Sequence, residues 1–218
     1  MAERRLDADR ETALQTLPAR VRPAFLALWS LDLAFADVVA TSSDPNLGLV
    51  RLAWWRERLE SLDSAEDAPA EPRLQAVEAE LLPRGLTGGE LSTLEDAWLP
   101  LFDPFPWKAA QAEGLKLRGH ILFGIGARLL GGEAGDAVSA GALWSLLDGA
   151  THCSDPQSRE YLITEARSAM ESLPPGSPTQ LRSMTVLGAL AASDLKGSSG
   201  LARAAAALTH RIVGTFPR

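Results

Sequence analysis

Residues 25–58 read FLALWSLDLAFADVVATSSDPNLGLVRLAWWRER. Phe25, Leu28, Phe35 and Val39 fall at helical spacing, as do Leu52, Trp55, Leu59 and Leu62 further on. Between the two runs stands Asp44-Pro45. An aspartate there accepts the orphan N–H groups of a first turn, and proline fits the first helical position. The stretch therefore reads as two helices joined by a short turn. Arg51, Trp54, Trp55 and Arg58 stand at offsets of three, four and seven, so they share one broad helix face. The first helix ends in Ala36-Asp37-Val38-Val39-Ala40, in which Asp37 is the one carboxylate.

The same punctuation runs through the chain. Asp103-Pro104, Asp155-Pro156 and Ser177-Pro178 repeat the cap-then-proline pattern, and Thr87-Gly88-Gly89-Glu90 has the form of a capping box. Alternating runs of β-branched residues are absent, and alanine and leucine, both good helix formers, dominate. The pattern predicts an all-α, single-domain bundle over 1–218 with about 9–10 helices and no sheet, near 6–16, 22–41, 45–62, 71–83, 88–101, 105–131, 136–153, 156–172, 178–194 and 199–214. Residues 1–5 are expected to be flexible. The acidic, Ala/Pro-rich stretch 63–72 is expected to be a mobile surface loop.

Composition excludes several function classes. The chain has 218 residues and a formal net charge of −7, which disfavours a nucleic-acid partner because affinity for a phosphate backbone rests on Lys and Arg. The single cysteine, Cys153, cannot form an internal disulfide and reads as a small, partly buried hydrophobe. The charged N-terminus is unlike a secretory signal. The longest apolar region, Ile121 to Leu130, is broken by glycines and Arg128, so no membrane span is expected. A cytoplasmic protein, able to rest on the inner face of a membrane, is the expectation. No phosphate-binding P-loop, dinucleotide fingerprint or Gly-x-Ser-x-Gly elbow occurs. Three scattered histidines and one cysteine make a structural zinc site a poor reading. His210, beside Arg211 on a late helix, reads as a surface residue.

Arg51-Leu52-Ala53-Trp54-Trp55-Arg56, following Pro45-Asn46-Leu47-Gly48, resembles the R-L-x-W-W-R hairpin of one branch of the squalene/phytoene synthase family. That branch includes bacterial relatives and mitochondrial complex I assembly factors regarded as lacking synthase activity. Glu113-Gly114-Leu115, Arg118-Gly119-His120, Leu122-Phe123 and Ala127 to Gly131 resemble the family's long central helix, whose glycines permit close packing or leave room for a ligand. Ser158-Arg159-Glu160-Tyr161-Leu162 resembles the region after the second acidic motif, with Ile163 where the family has proline. Ala189 to Leu195 and Arg203 to Arg211 resemble its last helical pair.

The resemblance implies an isoprenoid synthase fold, and it exposes two departures. Where active synthases carry Asp-Asp-x-x-Asp, this chain has Ala36-Asp37-Val38-Val39-Ala40. Asp32, about 140° round the helix from Asp37, cannot stand in on the same face. Where the second motif, Arg-Asp-x-x-x-Asp after Gln-x-x-Asn, is expected, Gly141 to His152 offers only Asp148, with His152 four residues on and on the same face. That pair could equally be a hydrogen bond within the bundle. Mg²⁺ wants several carboxylate and phosphate oxygens, and here the acidic ligands are depleted.

Two functional readings follow. In the first, the chain is a divergent, non-catalytic member that holds an isoprenoid or lipid-like molecule, or a client protein, in the manner of an assembly factor, with no cofactor. In the second, it is a head-to-head prenyl transferase with a reduced Mg²⁺ site at Asp37 and Asp148, assisted by Arg51 and Arg56, and it has an open apolar tunnel. The candidate ligand-binding residues are Asp37, Arg51, Trp54, Trp55, Arg56, Arg58, Asp148 and His152. Against both stands the bland alternative that Trp54 and Trp55 are core packing and the arginines surface charges.

Overall fold

Among the described residues, side-chain caps set five of the eleven α-helix starts. In the computed structural model, which describes residues 6–64 and 68–217, Asp44 accepts from the N–H of Asn46, Asp155 from Ser158 and Thr87 from Glu90. The α-helices are α1 (Ala8–Thr16), α2 (Arg22–Thr41), α3 (Pro45–Ser61), α4 (Pro72–Glu80), α5 (Gly88–Ser92), α6 (Leu94–Trp98), α7 (Ala109–Leu129), α8 (Val138–His152), α9 (Pro156–Glu171), α10 (Arg182–Leu195) and α11 (Gly200–Val213), with short 3-10 turns between some of them. No strand occurs among the described residues, so the all-α class is as expected.

Two expected helix starts are displaced. Asp103, which precedes Pro104, is in extended backbone, because the residue before a proline avoids the α region, and Lys108 is extended too. The long helix expected from 105 therefore begins at Ala109, and the Asp103 carboxylate accepts from Gln111 Nε2 at 2.9 Å instead of capping. Ser177 turns inward to Thr185 Oγ1 (2.8 Å), and α10 is entered through a 3-10 turn at Thr179–Leu181. The helix expected over 88–101 is split at Thr93, whose hydroxyl bonds back to the Glu90 carbonyl at 2.7 Å, and it ends in a 3-10 turn containing Pro100.

Parts of the expected mobile loop are tied down. The Asp63 carboxylate accepts from the N–H groups of Gly88 and Gly89 at 2.6 and 2.8 Å, and Glu71 caps α4. Residues 65–67, like the expected flexible 1–5, lie outside the described residues.

α2 is the central helix. Phe25, Leu28, Trp29, Leu31 and Phe35 are at most 1% exposed. The expectation of no membrane-length apolar helix needs correcting here, since Ala19–Thr41 is long and apolar enough by length and composition to cross a membrane. In the bundle, 67% of its most apolar window is buried. α7 and α8 pack backbone to backbone. A Cβ on Gly119 would lie 2.2 Å from the Gly141 carbonyl oxygen, and one on Gly141 would lie 2.4 Å from that of Gly119. This approach sets Arg118, next to Gly119, against Ser145 and Asp148 of α8. Gly119→Ala should therefore cost about 3 kcal/mol, the upper end of the overpacking range, measured as a shift in the urea midpoint.

His210 is not on the surface but fully buried. Its Nδ1 lies 3.0 Å from the Thr215 carbonyl, which makes that nitrogen the donor and leaves Nε2 to accept at 2.9 Å from Thr185 Oγ1. Burial, with help from Arg182 and against the Thr215 bond, holds its pKa below the ordinary imidazole value. The unfolded chain takes up this proton near pH 6.5 while the native state does not. Its contribution is thus complete above about pH 6.5 and is lost as pH falls towards the lowered native value. Denaturation midpoints should fall between pH 7 and 5, and His210→Gln should flatten that slope, leaving the part due to His120, which shifts in the same direction.

Candidate functional site

Four helices meet at a buried ionic cluster. Asp32 of α2 is 0% exposed and accepts from Arg118 of α7 through both carboxylate oxygens, Nε to Oδ1 and Nη2 to Oδ2, each at 2.7 Å. Arg10 of α1 donates to the same carboxylate at 3.2 Å. Arg118 Nη1 donates to Asp148 of α8 at 2.6 Å, and Arg10 lies 3.8 Å from that oxygen and 3.4 Å from Asp7. Both guanidinium groups sit 4.8 Å from the centre of the Trp144 ring, and Arg118 is equally close to Trp98. Such contacts recover part of the cost of desolvating an arginine. Burial alone would raise the Asp148 pKa, but Arg118, Arg10 and His152 outweigh it and hold the carboxyl below its ordinary value. Burial works against the Arg118 charge too, and Asp32 and Asp148 push its pKa up regardless.

This cluster is the floor of a cleft of about 740 Å³, a size ordinary for a small-molecule site. Leu33, Ala36, Val39 and Ala40 of α2 form one wall. Trp98, Leu101, Phe102, Phe105 and Trp107, from the end of α6 to the start of α7, form the other, with Leu115 between them. Asp7, Arg10, Arg118 and Asp148 lie at the bottom, and Ser42, Ser43, His152, Cys153 and Ser154 complete the lining. Cys153 is buried, as its reading as a small hydrophobe implies. A second cavity, of about 380 Å³, lies behind the floor and shares Asp7, Asp148 and His152 with the first.

Of the eight candidate residues, only Asp148 and His152 line the cleft. Ala36 and Ala40 face it, whereas Asp37 pairs with Arg73 at 3.3 Å away from it. Arg51 donates to the hydroxyls of Thr41 and Ser42 at 3.2 Å each, tying the start of α3 to the end of α2. The expected single face of α3 is divided. Trp55 is buried against Phe35, and Trp54 stacks edge-on against Trp55 with 40% of its surface exposed. Arg56 pairs with Glu95 at 3.1 Å, and Arg58 is half-buried along the same helix. His152 is largely exposed. Its Nδ1 bonds to the Asp148 backbone carbonyl at 2.9 Å and stays 3.5 Å from the carboxylate, which belongs to Arg118.

These residues do not fit a Mg²⁺–diphosphate clamp. Mg²⁺ demands near-octahedral oxygen ligands, normally one or two carboxylates plus phosphate and water. Asp32 and Asp148 already carry arginines, Asp37 faces elsewhere, and among the described residues no three His, Cys, Asp or Glu side chains converge as ligands.

Asp32, Arg10 and Arg118 are the residues that motif reading did not select. Their signal was present as an aspartate within the apolar run LWSLDLAF and an arginine among the glycines of α7, since lone charges in apolar helices are buried only with partners. Removing one partner of a buried pair leaves the other uncompensated. Asp32→Ala is expected to cost about 3–5 kcal/mol, and Asp37→Ala less than half as much, in urea denaturation at pH 7. Equal losses would contradict the central place of Asp32.

The family model described as squalene/phytoene synthase matches residues 4–85, which include Arg10, Asp32, Asp37 and the whole α2–α3 hairpin. No curated protein and no solved structure matches the chain. The match covers fewer than half of the 218 residues, and over that part, α1 to α4 of the all-helical bundle, the chain is similar to squalene/phytoene synthases.

Proposed function

We propose that this chain is a non-catalytic member of the family, closest in kind to its assembly-factor branch, that holds an apolar isoprenoid or lipid-like molecule in the 740 Å³ cleft. The observation that carries the reading is the α2 wall, where Ala36 and Ala40 face the cleft and Asp37 does not. Ionising an allylic diphosphate builds concentrated negative charge on the leaving group. Bound metal ions neutralise that charge and lower the barrier by several kcal/mol. A wall of alanines above a floor of already paired arginines supplies no such neutralisation. What remains is a concave, aromatic-lined space, which suits binding.

The open apolar cleft is also what a prenyl transferase requires, so that reading keeps one specific observation in its favour. It loses three others, because Asp37, Arg51 and Arg56, the residues it would employ, sit off the cleft. Purified protein incubated with farnesyl or geranylgeranyl diphosphate and Mg²⁺ is expected to give no condensation product, while native mass spectrometry is expected to find a co-purifying apolar molecule. Turnover that disappears in Asp37→Ala would reinstate the transferase.

A further inference from the structure

We infer that the occupant of the cleft is an uncharged, chain-like lipid rather than a phosphate ester, an inference that rests on the binding reading above. A prenyl diphosphate would need cationic charge to spare at the floor, and the arginine charges there are already compensated by aspartates. The Nε and Nη2 groups of Arg118 are given to Asp32 and Nη1 to Asp148, and the rings of Trp98 and Trp144 lie 4.8 Å from its centre. Arg10 hydrogen-bonds Asp32 and lies within ion-pair distance of Asp148 and Asp7, so its charge is compensated although its Nε makes no hydrogen bond. No lysine lines the cleft, and Asp103 adds a further carboxylate near its mouth. Among the described residues, two arginines therefore stand against four aspartates, and a diphosphate entering the cleft would meet an excess of negative charge there.

To grip that diphosphate, Arg118 would have to release Asp32 or Asp148 and leave a buried carboxylate unpaired, which is strongly unfavourable. A neutral chain requires no such exchange. Its hydrocarbon fills the space between Leu33, Val39, Phe102 and Phe105, and its end abuts a floor whose charges are already compensated internally. The preference thus comes from charge compensation within the protein and not from the width of the cleft.

The test is a pair of titrations by isothermal calorimetry on the full chain without Mg²⁺, using farnesol and farnesyl diphosphate, which share one hydrocarbon chain. Farnesol should bind at least tenfold more tightly. Asp7→Asn, which keeps a side chain competent to cap α1, should narrow that ratio several-fold by tightening the diphosphate. Farnesyl diphosphate binding as tightly as farnesol, or a ratio unmoved by Asp7→Asn, would overturn the inference while leaving the cleft a binding site. If neither probe binds, both this inference and the binding reading fall.

Discussion

Neither Asp32 nor Arg118 could be buried alone. An isolated ion in a bundle interior costs several kcal/mol even after the protein relaxes, and the mutual attraction of a pair repays this only when geometry and hydrogen bonds are good. Here the fork of Arg118 meets both oxygens of Asp32 and still reaches Asp148, while Arg10 closes the cluster from the other side. The four groups come from α1, α2, α7 and α8, so the relative placement of those helices is constrained by one set of charges. The Gly119–Gly141 contact serves the same end. Only with that close an approach can an arginine on α7 reach two turns of α8.

The cluster also bears on which side chains of α2 reach the cleft above it. Along α2 the side chains divide by face. Asp32 points into the ionic centre, Ala36 and Ala40 onto the cleft, and Asp37 towards Arg73. The helix keeps acidic residues, but none of them is free for a cation in the cleft. The Trp54–Trp55 pair and the arginines of α3 brace the helix against α2 and α6 rather than lining the binding space.

Local signals were legible in the sequence and long-range ones were not. Asp44, Thr87 and Asp155 announce their helices because a cap and the N–H that donates to it lie within one turn. The same rule misleads at Asp103, whose carboxylate accepts from Gln111, and at Ser177, whose partner is Thr185. The site behaves likewise. Asp148 and His152, four residues apart, can be paired on paper, yet the true partner of Asp148 is Arg118, thirty residues earlier. Asp32 and Arg118 are 86 residues apart, and no periodicity within either helix reveals the other. The Trp-Trp-Arg hairpin, which lies within the matched residues 4–85, is legible because it is local, and for the same reason it says little about what the cleft contains.

That separation has a consequence for biosynthesis. At ribosomal rates of 5–20 residues per second, Arg118 follows Asp32 by roughly 4–17 s, and during that interval the nascent α2–α3 hairpin has Arg10 as its only partner for Asp32 from this cluster. Burying α2 completely would then mean burying a carboxylate with only part of its compensation. The hairpin is expected to stay loosely packed until α7 and α8 arrive, so that the segment carrying the family match is not by itself a folding unit.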